Sequence, residues 1–397
     1  MKVKLGEVIQ LNPKEKLPKG QVAKKIAMEK LEPYNREVAG YEFSEYTGGT
    51  KFKNKDILLA RITPCLENGK TAYVNILDDG EVAFGSTEYF VLRAKEGVID
   101  PLYLYYLSVS SGFRTAAIKS MTGTSGRQRV QKEAILNYQF DLPIIDDQIR
   151  IANSIGFLDD KKALNKRIND NLLELAKTKF RQTYLLPTDE FKKIPNGWHI
   201  TSFSKIMTFS NGHNFKGNEM LKKYEPLTYK VFKQGNILIG GGLNELGTKS
   251  WIKKSKVTKL NKYVLKKWDL LMAMTDMKNK VAILGNTALM NRSNQYILNQ
   301  RVGLIRSNNY NGLSSAYLFL LTNSKPFLYS IRSRAHSGVQ VNLSSKEIRD
   351  TDVIIAPKKV NDKFNIFVKP IFERIMANQL ENLTLNELKQ TLLNRLF

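Results

Sequence analysis

Two kinds of patterning alternate along the chain. Apolar runs of four to six residues, such as Ile57-Leu-Leu-Ala and Tyr89-Phe-Val-Leu, are bounded by Gly, Asn and Pro, as strands are. From about Asp146 to Leu186 the pattern changes. Ile151, Ile155, Leu158, Ile168, Leu172 and Leu175 recur in steps built from three and four within a polar background, which predicts a long helix with one narrow apolar stripe. The same succession then repeats, short apolar runs first and a second stripe afterwards. That stripe, Ile371, Ile375, Leu385, Leu388 and Leu392, lies between about Asn361 and Phe397, with Pro370 near its start. A helix of roughly 40 residues is about 60 Å long, too long for the core of a small domain. Two such helices side by side make a rod.

The succession reflects a duplication at a spacing of about 213 residues. Asp56-Ile-Leu-Leu-Ala matches Asp269-Leu-Leu-Met-Ala, and Phe90-Val-Leu-Arg matches Gly303-Leu-Ile-Arg. Tyr103-Leu-Tyr-Tyr-Leu matches Tyr317-Leu-Phe-Leu-Leu, and Asn171-Leu-Leu-Glu-Leu matches Thr384-Leu-Asn-Glu-Leu. The expected fold is therefore mixed α/β (α+β): two similar globular domains joined by two long antiparallel coiled-coil-like helices in a pseudo-two-fold internal repeat. The expected boundaries are residues 1–145, the first helix 146–190, residues 191–357, and the second helix 358–397. Asn165 and Asn378 match under the shift, as do Asn169 and Asn382, and all four fall near the apolar seam. Polar seam residues cost stability and fix register.

The 397 residues carry 62 Lys plus Arg against 37 Asp plus Glu, a net charge of +25, which points to a polyanionic partner. The excess is uneven. Residues 1–145 hold a net +4 and residues 198–357 a net +16. A single cysteine, Cys65, leaves no internal disulfide and no zinc site built on several cysteines, so a reducing cytoplasm is expected. The start of the chain has no apolar leader segment, and no run of 18 apolar residues occurs, so no membrane span is expected.

Late in each half lies a polar loop with the chemistry of base edges. The first is Met121-Thr-Gly-Thr-Ser-Gly-Arg-Gln-Arg, the second Arg332-Ser-Arg-Ala-His-Ser-Gly-Val-Gln. Arginine donates twice to guanine O6 and N7, and glutamine pairs with adenine N6 and N7. Arg127, Gln128, Arg129 and Gln340, with Ser125 and His336 beside them, are thus candidate base readers. Arg114, Lys119, Arg332 and Arg334 flank them as candidate phosphate contacts. Arg61 and Lys70 in the first half, and Lys278 and Lys280 in the second, extend the set. Lys249, Trp251 and Lys253 add an aromatic residue between cations.

The motifs of catalysis are missing. There is no Pro-Pro dipeptide of the kind that base amino-methylation motifs carry, and Gly240-Gly-Gly-Leu-Asn-Glu-Leu-Gly-Thr-Lys places Thr248 where a phosphate loop needs its lysine. His199, His213 and His336 have no metal-ligand spacing. Asp78-Asp79, Asp146-Asp147 and Asp159-Asp160 sit in turn-like or helical contexts, where solvated or helix N-terminal roles are usual. No catalytic or metal-binding residue is expected. A self-contained nuclease with scattered acids and a basic adaptor binding nucleic acid by charge alone remain as alternatives.

These residues together resemble the specificity subunit of type I restriction-modification systems. The resemblance rests on the repeated order of variable domain and long helix, on Ile194-Pro-Asn-Gly-Trp-His-Ile opening the second copy, and on the Ser-Gly-x-Gln loops ending at Gln128 and Gln340. It rests also on the apolar run ending in proline before each helix, Phe140-Asp-Leu-Pro and Val353-Ile-Ile-Ala-Pro. The lead-in Pro-Asn-Gly-Trp is absent before the first copy. The resemblance implies a non-catalytic subunit with two target-recognition domains, each reading one half of a bipartite double-stranded DNA target, and helices that set the spacer. It also implies two modification (methyltransferase) subunits and restriction (helicase-nuclease) subunits as partners. S-adenosylmethionine, ATP and magnesium then belong to those partners, with no cofactor in this chain.

Overall fold

The computed structural model describes residues 1–124, 126–186, 194–278, 281–337 and 340–397. The described chain forms two compact units, Met1–Asn165 with Glu381–Phe397, and Lys166–Leu380. Each unit thus takes part of both long helices.

In the first unit an antiparallel sheet has the strand order Ile9–Leu11, Tyr89–Ala94, Ile57–Ala60, Thr71–Tyr73. A second sheet, ordered Glu42–Glu45, Val22–Ile26, Ala83–Gly85, Lys51–Phe52, contains one parallel pair, Val22–Ile26 with Ala83–Gly85. Alternation of side chains explains why the central strands read as continuous apolar runs. Ile57, Leu59, Phe90 and Leu92 face the helix Pro101–Val109 through Tyr103, Leu104 and Leu107, whereas Leu58, Val91 and Tyr89 pack with Ile26, Leu31 and Phe52. Both faces are covered.

The second unit repeats the plan. Its antiparallel sheet runs Met207–Asn211, Val302–Ser307, Leu270–Ala273, Thr287–Leu289, and its mixed sheet runs Trp251–Lys253, Thr228–Phe232, Tyr296–Leu298. Leu270, Met272 and Ile305 face one core and Leu271, Ala273 and Leu304 the other. Caps recur as well. Ser110 accepts from the Phe113 amide at 3.4 Å and Ser324 from the Phe327 amide at 3.5 Å, each opening the second helix of its copy.

One buried ion pair is common to both copies. Arg93 donates through Nε and Nη2 to Asp56 at 2.7 and 2.6 Å, and Arg306 does the same to Asp269 at 2.6 and 2.8 Å. The same carboxylates accept the amides of Lys53 and Lys266, each at 2.8 Å, across turns that place Lys55 and Trp268 at φ of 72° and 74°. The pair ties the edge of the apolar run to its neighbouring strand at the same point twice.

The long helices are Ile145–Phe180, continued by a wide turn over Arg181–Leu185, and Lys358–Leu396. Asp146 and Asp147 lie in the first turn of the former, where the helix dipole favours acids. Asp159 departs from the solvated role expected of it. It is buried and ion-paired to the buried Lys389 at 2.6 Å, while also accepting from Tyr106 Oη at 3.0 Å. In the first unit Asn165 donates to Asn382 at 3.0 Å and to Glu381 at 2.7 Å, and in the second Asn378 donates to Asn169 at 2.8 Å. A shift of 213 carries the Asn165–Asn382 pair onto Asn378–Asn169. In the second unit the helices run antiparallel, since Tyr184 near the end of one donates to Asn361 near the start of the other at 3.0 Å. No helix among the described residues is long and apolar enough to cross a membrane.

Candidate nucleic-acid interface

In the first unit the candidate residues converge on the segment that leaves the strand Ile57–Ala60. The Arg61 amide donates to Glu88 O at 3.0 Å, and Val130 donates back to Arg61 O at 2.8 Å. The polar loop folds onto the same segment, with Thr63 N bonded to Gln128 O at 3.0 Å and Arg129 exchanging both backbone bonds with Thr122. Arg61, Gln128 and Arg129 are therefore neighbours, though 67 or more positions separate Arg61 from the others.

The side chains of Arg61 and Arg129 meet on Glu88, a residue outside the expected set. Arg129 donates to its carboxylate through Nε at 3.0 and 3.1 Å and Nη2 at 2.7 Å, and Arg61 through Nε at 3.3 Å. The hydrogen bonds from Arg129, with burial opposing, hold the Glu88 carboxyl below its ordinary value. The Arg61 guanidinium also lies over the Phe90 ring, 5.3 Å from its centre.

The remaining cations divide by partner. Arg114 Nη2 donates to Leu66 O at 3.1 Å beneath a stacking contact with Tyr34, and Lys70 Nζ donates to Met28 O at 2.8 Å. These two side chains brace the 66–70 turn. Lys119 and Arg127 are exposed. Ser125 lies outside the described residues.

The second unit holds its candidates in two places. Lys249 is exposed, and Trp251 is half-buried in the mixed sheet with its backbone bonded to Leu221 on both sides. Lys253 pairs with Glu225 at 3.2 Å. Elsewhere a small sheet joins Thr275–Met277, Gln340–Asn342 and His336–Ser337. Arg332 donates to Leu284 O at 2.9 Å and Ala282 O at 3.0 Å, and Asp276 accepts the amides of Ala282 and Ile283 at 2.7 Å and Leu284 at 3.1 Å. Lys278, two residues after Asp276, is exposed. Burial holds Arg332 below its ordinary value, with Asp276 opposing. Arg334 donates to Asp350 O at 2.9 Å. Lys280 lies outside the described residues, and only the backbone of His336 is described.

Both loops share a backbone frame. Met274 N to Arg301 O at 3.2 Å and Leu343 N to Met274 O at 2.9 Å reproduce, 213 residues on, the bonds of Arg61 to Glu88 and Val130 to Arg61. The pairing of Thr275 with Asn342 reproduces that of Ile62 with Arg129. The side chains on the frame differ: Arg61, Glu88 and Arg129 in one copy, Met274, Arg301 and Asn342 in the other. In sequence these positions are mismatches at the 213 spacing, and the backbone bonds bear out their equivalence.

The glycine run near Gly240 spends its amides internally, Gly240 on Asn286 Oδ1 at 3.2 Å and Gly242 on Thr287 O at 2.9 Å, so it offers no phosphate cradle. Among the described residues no group of three or more His, Cys, Asp and Glu is placed to hold a metal ion.

Each copy is thus a mixed domain that keeps one backbone frame under different side chains and is followed by a long helix. The profile of the type I restriction modification DNA specificity domain matches residues 1–174. The MjaIX type I specificity subunit of Methanocaldococcus jannaschii is 24% identical over 324 residues, 76% of this chain and 69% of that protein. The EcoAI specificity subunit of Escherichia coli is 36% identical over 104 residues, 26% of this chain and only 18% of that protein. The crystal structure of a type I S subunit from M. genitalium has the same fold, with a TM-score of 0.56 at 14% identity, covering 100% of this chain and 96% of that one. The chain is thus similar to specificity subunits of type I restriction-modification systems over about three quarters of its length, and residues 1–174 match their DNA specificity domain.

Proposed function

We propose that this chain is the DNA-sequence recognition subunit of a type I restriction-modification complex, with each unit reading one half of a bipartite double-stranded target. The observation that carries the reading is the shared backbone frame presenting Arg61, Glu88 and Arg129 in one copy and Met274, Arg301 and Asn342 in the other. A common scaffold with different polar side chains is what reading two different half-sites requires. The long helices set the number of unread base pairs between the halves and dock two modification subunits. Adenine methylation with S-adenosylmethionine, and ATP- and magnesium-dependent cleavage, belong to the modification and restriction partners, in the cytoplasm.

Exchanging residues 198–357 for the second domain of another specificity subunit tests this directly. In the complex with its modification subunits, one half of the methylated sequence changes and the other half and the spacer stay. A change in both halves overturns the assignment of one half-site to each unit.

A further inference from the structure

We propose that Glu88 is a positioning residue that aims Arg61 and Arg129 at guanine in the first half-site, an inference that rests on the reading above. Three segments meet here: the end of Ile57–Ala60, the start of Tyr89–Ala94, and the loop ending at Arg129. Each arginine offers Glu88 its Nε side. The Nη1 groups of both have no hydrogen-bond partner among the described residues, so each keeps free donors of the spacing that guanine O6 and N7 accept. The Arg129 side chain is 44% exposed and the Glu88 carboxylate 21%, so the donors are reachable while the group that orients them is mostly covered.

The charge argues for bases over phosphates. Two guanidinium groups sharing one carboxylate leave a local charge near +1, and a carboxylate repels phosphate oxygens. Neutral acceptors on a base edge meet no such penalty. Arg127 and Lys119, exposed in the same unit, suit the backbone. A carboxylate-oriented arginine fork also fits the low net charge of this region, where sequence discrimination depends on directed contacts more than on bulk attraction. In the second unit Glu88 is replaced by Arg301 and Arg61 by Met274, so the same frame cannot aim arginines this way, and the second half-site is read by other chemistry.

The test selects sequences from a randomised duplex DNA pool with the full chain in complex with its modification subunits, wild type against Glu88→Gln and Arg129→Lys. Wild type enriches guanine at a position of one half-site. Glu88→Gln, which keeps shape and removes the charge, lowers that preference about tenfold or more. It leaves the other half-site intact and does not weaken binding to unselected DNA. Arg129→Lys, a surface change that keeps the charge, loses the same preference, and it decides the matter should Glu88→Gln fail to fold in a thermal melt. An unchanged motif in folded variants, or uniform weakening across all sequences, overturns the inference and leaves the bipartite reading standing. A wild-type chain that enriches no bipartite motif removes both.

Discussion

At the scale of single residues, the common frame of the two copies is electrostatic as well as apolar. Asp56 and Asp269 are almost fully buried, and each depends on one arginine for its charge. The bond to Asp56 outweighs burial and raises Arg93 above its ordinary value, and Arg306 is raised by Asp269 in the same way. Removing the arginine leaves a buried carboxylate unpaired, so Arg93→Ala and Arg306→Ala should each destabilise by about 3 to 5 kcal/mol in denaturant titrations; a loss below about 1 kcal/mol would refute the role. The sequence repeat displayed both aspartates and both arginines, yet not that they touch, because strand neighbours are set by the order of strands across the sheet. Glu245 supplies a pH test. Burial raises its carboxyl, but hydrogen bonds from Arg292, Tyr296 and Asn291 outweigh that and leave it below its ordinary value near 4.5. The folded state then binds fewer protons than the unfolded one at acidic pH. This stability is complete above the ordinary value and is lost as pH falls through the lowered one. Glu245→Gln should flatten that acid limb of the stability–pH curve, read by thermal melts; an unchanged limb would count against it.

At the scale of elements, the long helices were plain from their stripes, but what distinguishes one end of the pair from the other was not. A shift of 213 maps Asp159 onto Phe372 and Lys389 onto Ala176. The first unit therefore holds a buried ion pair where the second holds a buried phenylalanine against an alanine position; Tyr106 bonds Asp159 in the first, and in the second Phe319, the counterpart of Tyr105, packs its ring on Phe372 at 5.4 Å. Charged residues in a stripe read as surface, and only a partner 230 positions away explains Asp159 as core. Burial lowers Lys389 below its ordinary value, with Asp159 opposing, as expected of a pair that is costly to keep. Lys389→Ala should destabilise the first unit by about 3 to 5 kcal/mol, whereas the double change Asp159→Leu with Lys389→Met should be neutral or stabilising. A double variant as unstable as the single would show that the pair itself supplies stability. The strand repeat was also only half visible. Ile9–Leu11 and Met207–Asn211 occupy the same sheet position at a spacing of 198, not 213, because the second copy has longer connections before Leu270. That length difference hides the register of the early strands from any fixed-shift comparison.

At the scale of the whole molecule, the charge is unequal while the frame is equal, so the two copies differ in how they hold DNA more than in how they fold. Neutralising exposed lysines of the more basic copy, Lys249 and Lys278, should lower the slope of log affinity against log salt by about one for each phosphate left without its cation, and should not change the motif. The helices give the last test. In the first unit Asn165 faces Asn382, and in the second Asn169 faces Asn378, so the intervals 165–169 and 378–382 are the matched stretch of the two helices. Seven residues inserted in both intervals keep each stripe in phase, since a heptad is close to two helical turns. They lengthen the helices by about 10.5 Å at 1.5 Å per residue, close to three base pairs of axial rise. The methylated motif of the reassembled complex should keep both half-sites and gain about three unread base pairs between them. The same insertion in one helix alone leaves the facing asparagines out of step and should abolish assembly. A spacer that stays fixed after the matched insertion would show that the unread length is set by the partner subunits and not by this chain.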